Sequence, residues 1–256
     1  MPDTVLARTP QQTAPRRRRR QPKGPGERIR VREILSYLAA TLPESTPAAA
    51  RLLALQCALR MNASMRVRLA RGLLRSLRLD SPDLWHELEQ AGWLYVSPAS
   101  CASEITAELL DVTLLDQAPA RPDRAQAADW ALRIACLASA QARVGPLLRL
   151  TALSLTAHTA PGTGAGKADL DQLARACGTP STQLPDLFDQ LVSTKILASW
   201  QTCHDMGDLT WHLWARDRAA HLLVSGDART SPGELLCPTS VPLKRMWRGH
   251  EQRSPT

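Results

Sequence analysis

The chain has 256 residues, with 32 basic against 24 acidic side chains, 44% apolar and 22% charged, a globular composition with material for one or two buried cores. No apolar run reaches the ~18–20 residues that span a bilayer, and no apolar segment follows the first charges as in a secretory leader, so a cytoplasmic protein is expected. The cysteines Cys57, Cys101, Cys136, Cys177, Cys203 and Cys237 are scattered without a CxxC pair and read as small buried apolar residues rather than as a disulfide framework.

The charge is concentrated at one end. Residues 1–32 carry ten basic side chains against Asp3 and Glu27, which accounts for the entire net charge of +8. Residues 1–26 are rich in Pro, Gln and Arg without periodicity and are expected to form a disordered arm. Its run Arg16, Arg17, Arg18, Arg19 and Arg20 suits the phosphates of a nucleic acid, while nonspecific attraction to RNA stays open.

From Glu27 the residues Ile29, Ile34, Leu35 and Leu38 fall at helical spacing, ending before Pro43. Pro47 opens a second helix that buries Leu52, Leu53, Leu55 and Leu59. An internal repeat follows. DLWHELEQAGWL (83–94) matches DLFDQLVSTKIL (186–197) at an offset of 103, and residues 104–109 match 208–213 at 104. Leu69-Ala70-Arg71 aligns with Leu173-Ala174-Arg175 at 104, and residues 52–55 with 147–150 at 95. Two related modules are expected, 27–116 and 122–224, joined through 116–123, with an irregular tail over 225–256.

The second copy predicts a helix over 142–158, an N-cap at Asp169, a short helix LDQLARACG stopping at Gly178, and a third helix over 182–194. ASWQTC and LTWHLW then form a hairpin with Gly207 at its turn. The first copy repeats this order as MRVRLARGLLRSL, SPDLWHELEQAGWL, then LYVSPAS and EITAELL. Trp85, Trp93, Trp200 and Trp211 take core or hairpin positions as packing residues.

LDQLARACG-TPS-TQLPDLFDQLVSTKIL and the following hairpin resemble the winged helix-turn-helix superfamily of DNA-binding domains, here as two tandem copies. The fold class implied is mainly α with small β-hairpins. The resemblance implies that the third helix of each copy enters a major groove while the hairpin touches the backbone or the minor groove. In the second copy Gln183, Gln190 and Lys195 suit that role, although Asp186 and Asp189 oppose phosphates. In the first copy Asp83, His86, Glu87, Glu89 and Gln90 make a poor base reader, and its hairpin turn, 97–103, has no basic residue. Arg68, Arg71, Arg75 and Arg78 fall at spacings of three, four and three, predicting a four-arginine helix stripe for phosphates or an acidic partner. A solvated face paired with Glu87, Glu89 or Glu108 is the alternative.

Nothing in the chain asks for catalysis. GTGAGK (162–167) lacks the Ser or Thr and the preceding strand of a phosphate loop, and is expected to be a flexible connection. Cys203, His204, Asp205 and His212 lack a chelating pair, so neither metal nor cofactor is expected. The tail residues Lys244, Arg245, Met246, Trp247 and Arg248 interleave base and aromatic as a docking peptide would, within a segment read as disordered. The expected function is sequence-specific duplex-DNA binding in bacterial transcription regulation, associated with the nucleoid. A plasmid-type replication initiator and a winged-helix adaptor that binds protein remain the alternatives, with the oligomeric state open.

Overall fold

The computed structural model describes residues 26–117, 121–139, 144–203 and 207–214. The five-arginine run, the basic-aromatic tail, Cys237, His204 and Asp205 lie outside these residues. The described chain mixes helices with two small antiparallel sheets. Its first half runs α1 (Glu27–Thr41), α2 (Ala48–Arg60), β1 (Arg66–Ala70), α3 (Arg71–Ser76), α4 (Pro82–Gln90), β2 (Leu94–Val96) and β3 (Glu104–Leu109). After the short α5 (Thr113–Gln117) the same order returns: α6 (Arg121–Ser139), α7 (Pro146–His158), β4 (Ala165–Asp169), α8 (Leu170–Cys177), α9 (Leu184–Ser193), β5 (Leu197–Cys203) and β6 (Asp208–Leu213). A 3-10 turn, Ser181–Gln183, leads into α9.

Each sheet has three strands, ordered β1-β3-β2 and β4-β6-β5. The expected two-stranded hairpins are therefore the inner parts of larger sheets. The added strand β1 corrects the helical reading of MRVRLARGLLRSL. Val67 and Leu69 are buried while Arg66, Arg68 and Ala70 are exposed, the period of two that defines a half-buried strand. Likewise 165–169 of the glycine-rich connection pairs with β6 as β4, instead of forming a flexible loop. The equal lengths of α2 and α7 put the copies 98 apart at this point, and the strands β1 and β4 put them 99 apart. The sequence matches at 95 and at Leu69-Ala70-Arg71 are thus out of register, whereas the offsets of 103 and 104 hold for β2, β3 and their counterparts.

Several local features have plain causes. Asp169 caps α8 by accepting a hydrogen bond from the Gln172 amide at 2.7 Å, and Gly178 ends it in the left-handed region at φ 64°. Trp211 on β6 pairs across the sheet with Gly166, and any Cβ at 166 would overlap its indole ring. The equivalent pair in the first copy is Val67 with Ala107, so the bulk is redistributed between the two strands. Trp211 donates its indole N–H to Thr159 Oγ1 at 2.9 Å. Cys57 and Cys177 are buried as expected, but Cys101, Cys136 and Cys203 are exposed. Cys101 lies in the β2–β3 turn, Cys203 ends β5 and Cys136 lies on the outer side of α6, so none of them has a core to enter.

The two copies share one apolar core, with α1 packed on α6 and α7, and α2 on α6 and α7. Arginines cross between them reciprocally. Arg28 of α1 donates to the Thr159 carbonyl at the end of α7, and Arg124 of α6 donates to the Met61 carbonyl at the end of α2 at 2.9 Å. Arg149 of α7 donates to the Leu77 carbonyl at the end of α3 at 2.6 Å. Its counterpart Arg51 of α2 binds the Thr46 and Pro43 carbonyls of its own copy and packs on Gly178 at the end of α8. Arg28, Arg124 and Arg149 thus meet the electronegative end of a helix in the other copy, whereas Arg51 is held within its own. The reciprocal contacts of Arg28 and Arg124 are the signature of an isologous, two-fold-like interface, here within one chain, from which Arg51 and Arg149 depart.

Candidate nucleic-acid interface

The third helices, α4 and α9, bury one face and expose the other. In α9, Leu184, Leu187, Phe188 and Leu191 enter the core. Exposed Gln183, Asp186 and Gln190 follow at spacings of three and four, a single stripe about two turns long. The Gln183 side chain accepts from Thr179 Oγ1 at 3.0 Å, which holds it at the mouth of the helix. Asp189 accepts the Trp200 indole N–H at 2.9 Å and so is committed to positioning that ring, which packs on Phe188 with centroids 5.2 Å apart. Asp189 thus braces the sheet, while both it and Asp186 remain exposed.

In α4, Trp85 and Leu88 are buried while Asp83, His86, Glu87 and Gln90 face outward, with His86 hydrogen-bonded to Gln90 at 2.9 Å. Glu89 turns aside to accept the Val96 amide at 2.8 Å. The β2–β3 turn is tied by hydroxyls: Ser100 Oγ donates to the Ser97 carbonyl at 2.8 Å and accepts the Thr106 amide at 3.1 Å.

The expected arginine stripe is not one helix face. Arg68 sits on β1, Arg71 and Arg75 on α3, and Arg78 beyond the helix at φ 55°. The spacing of three and four that suggested a helix spans a strand, a helix and a turn, because the buried partners Val67 and Leu69 alternate instead. Arg68 lies 3.8 Å from Glu104 and Arg75 3.6 Å from Asp80, both exposed pairs, and Arg66 lies 3.4 Å from Glu108. Such pairs hold little energy and are readily exchanged for another anion. Arg71 contacts the turn through a 3.4 Å hydrogen bond to the Cys101 carbonyl. Arg78 is exposed and makes no side-chain hydrogen bond or ion pair among the described residues, and the same holds for Lys195. The two-copy structure also marks Arg175 of α8, an exposed cation that sequence spacing did not single out.

Among the described residues no three His, Cys, Asp or Glu side chains lie together so as to hold a metal ion, and no helix is long and apolar enough to cross a membrane. Lys167 on β4 meets Asp208 at 2.7 Å, and that hydrogen bond and charge raise its pKa, so the lysine of GTGAGK is engaged within its own sheet. In comparison with known proteins, the chain matches no family model, no curated protein and no solved structure.

Proposed function

We propose that the chain is a duplex-DNA-binding protein made of two winged helix-turn-helix modules, acting in transcription regulation. The observation that carries this reading is the doubled order of elements, in which the pairs α3–α4 and α8–α9 read as helix-turn-helix units, each preceded by one strand and followed by two strands of its three-stranded sheet. In such a pair the third helix lies in the major groove and the flanking turns meet the backbone. Gln183 at the N-cap of α9 and Gln190 within it are the base readers, matched to the donor and acceptor pair of adenine. Lys195, Arg68, Arg71, Arg75 and Arg78 grip phosphates, joined by Arg16, Arg17, Arg18, Arg19 and Arg20 of the arm. The acids Asp83 and Glu87 keep α4 from reading bases, so the first module contributes mainly backbone contacts.

The test is a salt titration of mixed-sequence duplex DNA binding with the full chain and with a variant in which the five arm arginines are serine. Both proteins are expected to bind, the variant with a shallower dependence of log K on log salt. Loss of all binding in the variant would leave the modules without a role on DNA. It would favour the adaptor reading, for which the acidic exposed face of α4 is the specific support. Binding confined to directly repeated sites that a replication origin requires would move the task from regulation to replication initiation.

A further inference from the structure

Among the described residues, three other than glycine occupy the left-handed region, Met65 at φ 58°, Arg78 at 55° and Lys195 at 58°. Each has a glycine at the equivalent place in the other copy: Gly164 at φ 69°, Gly178 at 64° and Gly92 at 65°. The backbone bonds confirm the equivalence. Leu79 N–H bonds to the Leu74 carbonyl as Thr179 N–H does to Ala174, and Ile196 N–H bonds to the Leu191 carbonyl as Trp93 N–H does to Leu88. All four are helix ends of the type that glycine serves best, because a Cβ crowds the following carbonyl there.

Met65 has a return for its strained backbone, since its side chain is buried in the core. Arg78 and Lys195 have none inside the molecule. Both side chains are exposed and unpaired among the described residues. Arg78 also stands beside the buried Arg149 guanidinium, whose charge opposes its own. Gly178, its counterpart, is free of that conflict and leaves room for Arg51. A cation kept in a conformation that glycine would adopt more easily, twice and in different copies, calls for an anion from outside.

We infer that Arg78 and Lys195 are phosphate contacts of the bound duplex, one in each copy, held at the expense of local stability. The inference rests on the DNA-binding reading above. Arg78 precedes α4 and Lys195 follows α9, so the two contacts bracket the third helices from opposite ends.

The experiment compares the full chain with Arg78→Gly, Lys195→Gly and Met65→Gly, measuring thermal unfolding and the salt dependence of binding to fluorescein-labelled mixed-sequence duplex DNA. Arg78→Gly and Lys195→Gly are each expected to raise the unfolding midpoint by roughly 2–4 °C. Each is also expected to lower the salt slope by about 0.9, the share of one phosphate. Arg78→Lys keeps charge and strain together and should retain both wild-type values. Met65→Gly should unfold at lower temperature with an unchanged slope. A stabilised Arg78→Gly with the wild-type slope would overturn the inference, as would a midpoint that fails to rise. Failure of the unaltered chain to bind duplex DNA would instead overturn the functional reading on which the inference stands.

Discussion

The Tyr37 hydroxyl on α1 donates to Asp111, just past β3, and Asp111 also accepts from the Thr113 hydroxyl and amide at 2.7 and 2.9 Å. Burial, and next the bond to Asp111, push the Tyr37 phenol up to about 12, while the Tyr37 and Thr113 hydrogen bonds draw the Asp111 carboxyl down. The signs follow from linkage. A raised phenol contributes stability that is fully present below its unfolded value of 10.0 and is lost as pH climbs to about 12. The lowered carboxyl contributes stability above its unfolded value, lost as pH falls through the folded one. Tyr37→Phe is expected to cost about 1 kcal/mol at neutral pH. It should also flatten the alkaline decline, which urea unfolding between pH 10 and 12 would measure; an unchanged decline would assign it elsewhere. At this scale the sequence is readable where a residue acts on its neighbours. Asp169 and Gly178 bound α8 as their types demand. The buried arginines were not readable, because Arg124 and Arg149 find their carbonyls 63 and 72 residues away.

Elements were legible where one period ran long enough. The buried residues of α1 run from Val31 to Leu38 and those of α9 from Leu184 to Leu191, each about two turns, α2 is buried nearly all round, and the central strands of both sheets alternate cleanly. The strand β1 has five residues, and its arginines at 66 and 68 merge by spacing with those of α3, so the period of two is masked. β4 hides for another reason: AGKAD lacks β-formers, and it is a strand because Gly166 lets Trp211 lie against it. Gly166→Ala should therefore destabilise by about 1–3 kcal/mol through overpacking. Gly72→Ala, in α3 with open space around the Cβ, should stabilise by about 0.5–1 kcal/mol. Denaturant midpoints of the two variants moving in the same direction would contradict this account. The exposure of Gln183 and Gln190 was legible from the spacing of the buried residues of α9, whereas the bond of Asp189 to Trp200 needs the fold of β5.

At the scale of the whole molecule, a shared core predicts shared unfolding. Side chains of both copies form a single buried cluster, and helices from each copy cover the other. Tryptophan fluorescence, to which Trp85 and Trp93 of one copy and Trp130, Trp200 and Trp211 of the other contribute among the seven tryptophans, should therefore melt together with far-ultraviolet circular dichroism in one transition. Two separated transitions would mean that the copies are independent bodies. The repeated order of elements was legible in the sequence, but its register was not: α2 and α7 stand 98 apart where their leucines had matched at 95, and β1 and β4 stand 99 apart where Leu69-Ala70-Arg71 had matched at 104.

An isologous contact between identical chains forms only above a threshold concentration, and every substitution enters both of its sides at once. Covalent joining removes both constraints here. The arginine-held contact forms intramolecularly at any protein concentration, and each half is free to change alone. Position 178 could not accept what position 78 holds, since even a Cβ there would strike Arg51. Two identical chains could never carry that combination. Joined copies can diverge in the faces they present, which two identical chains cannot.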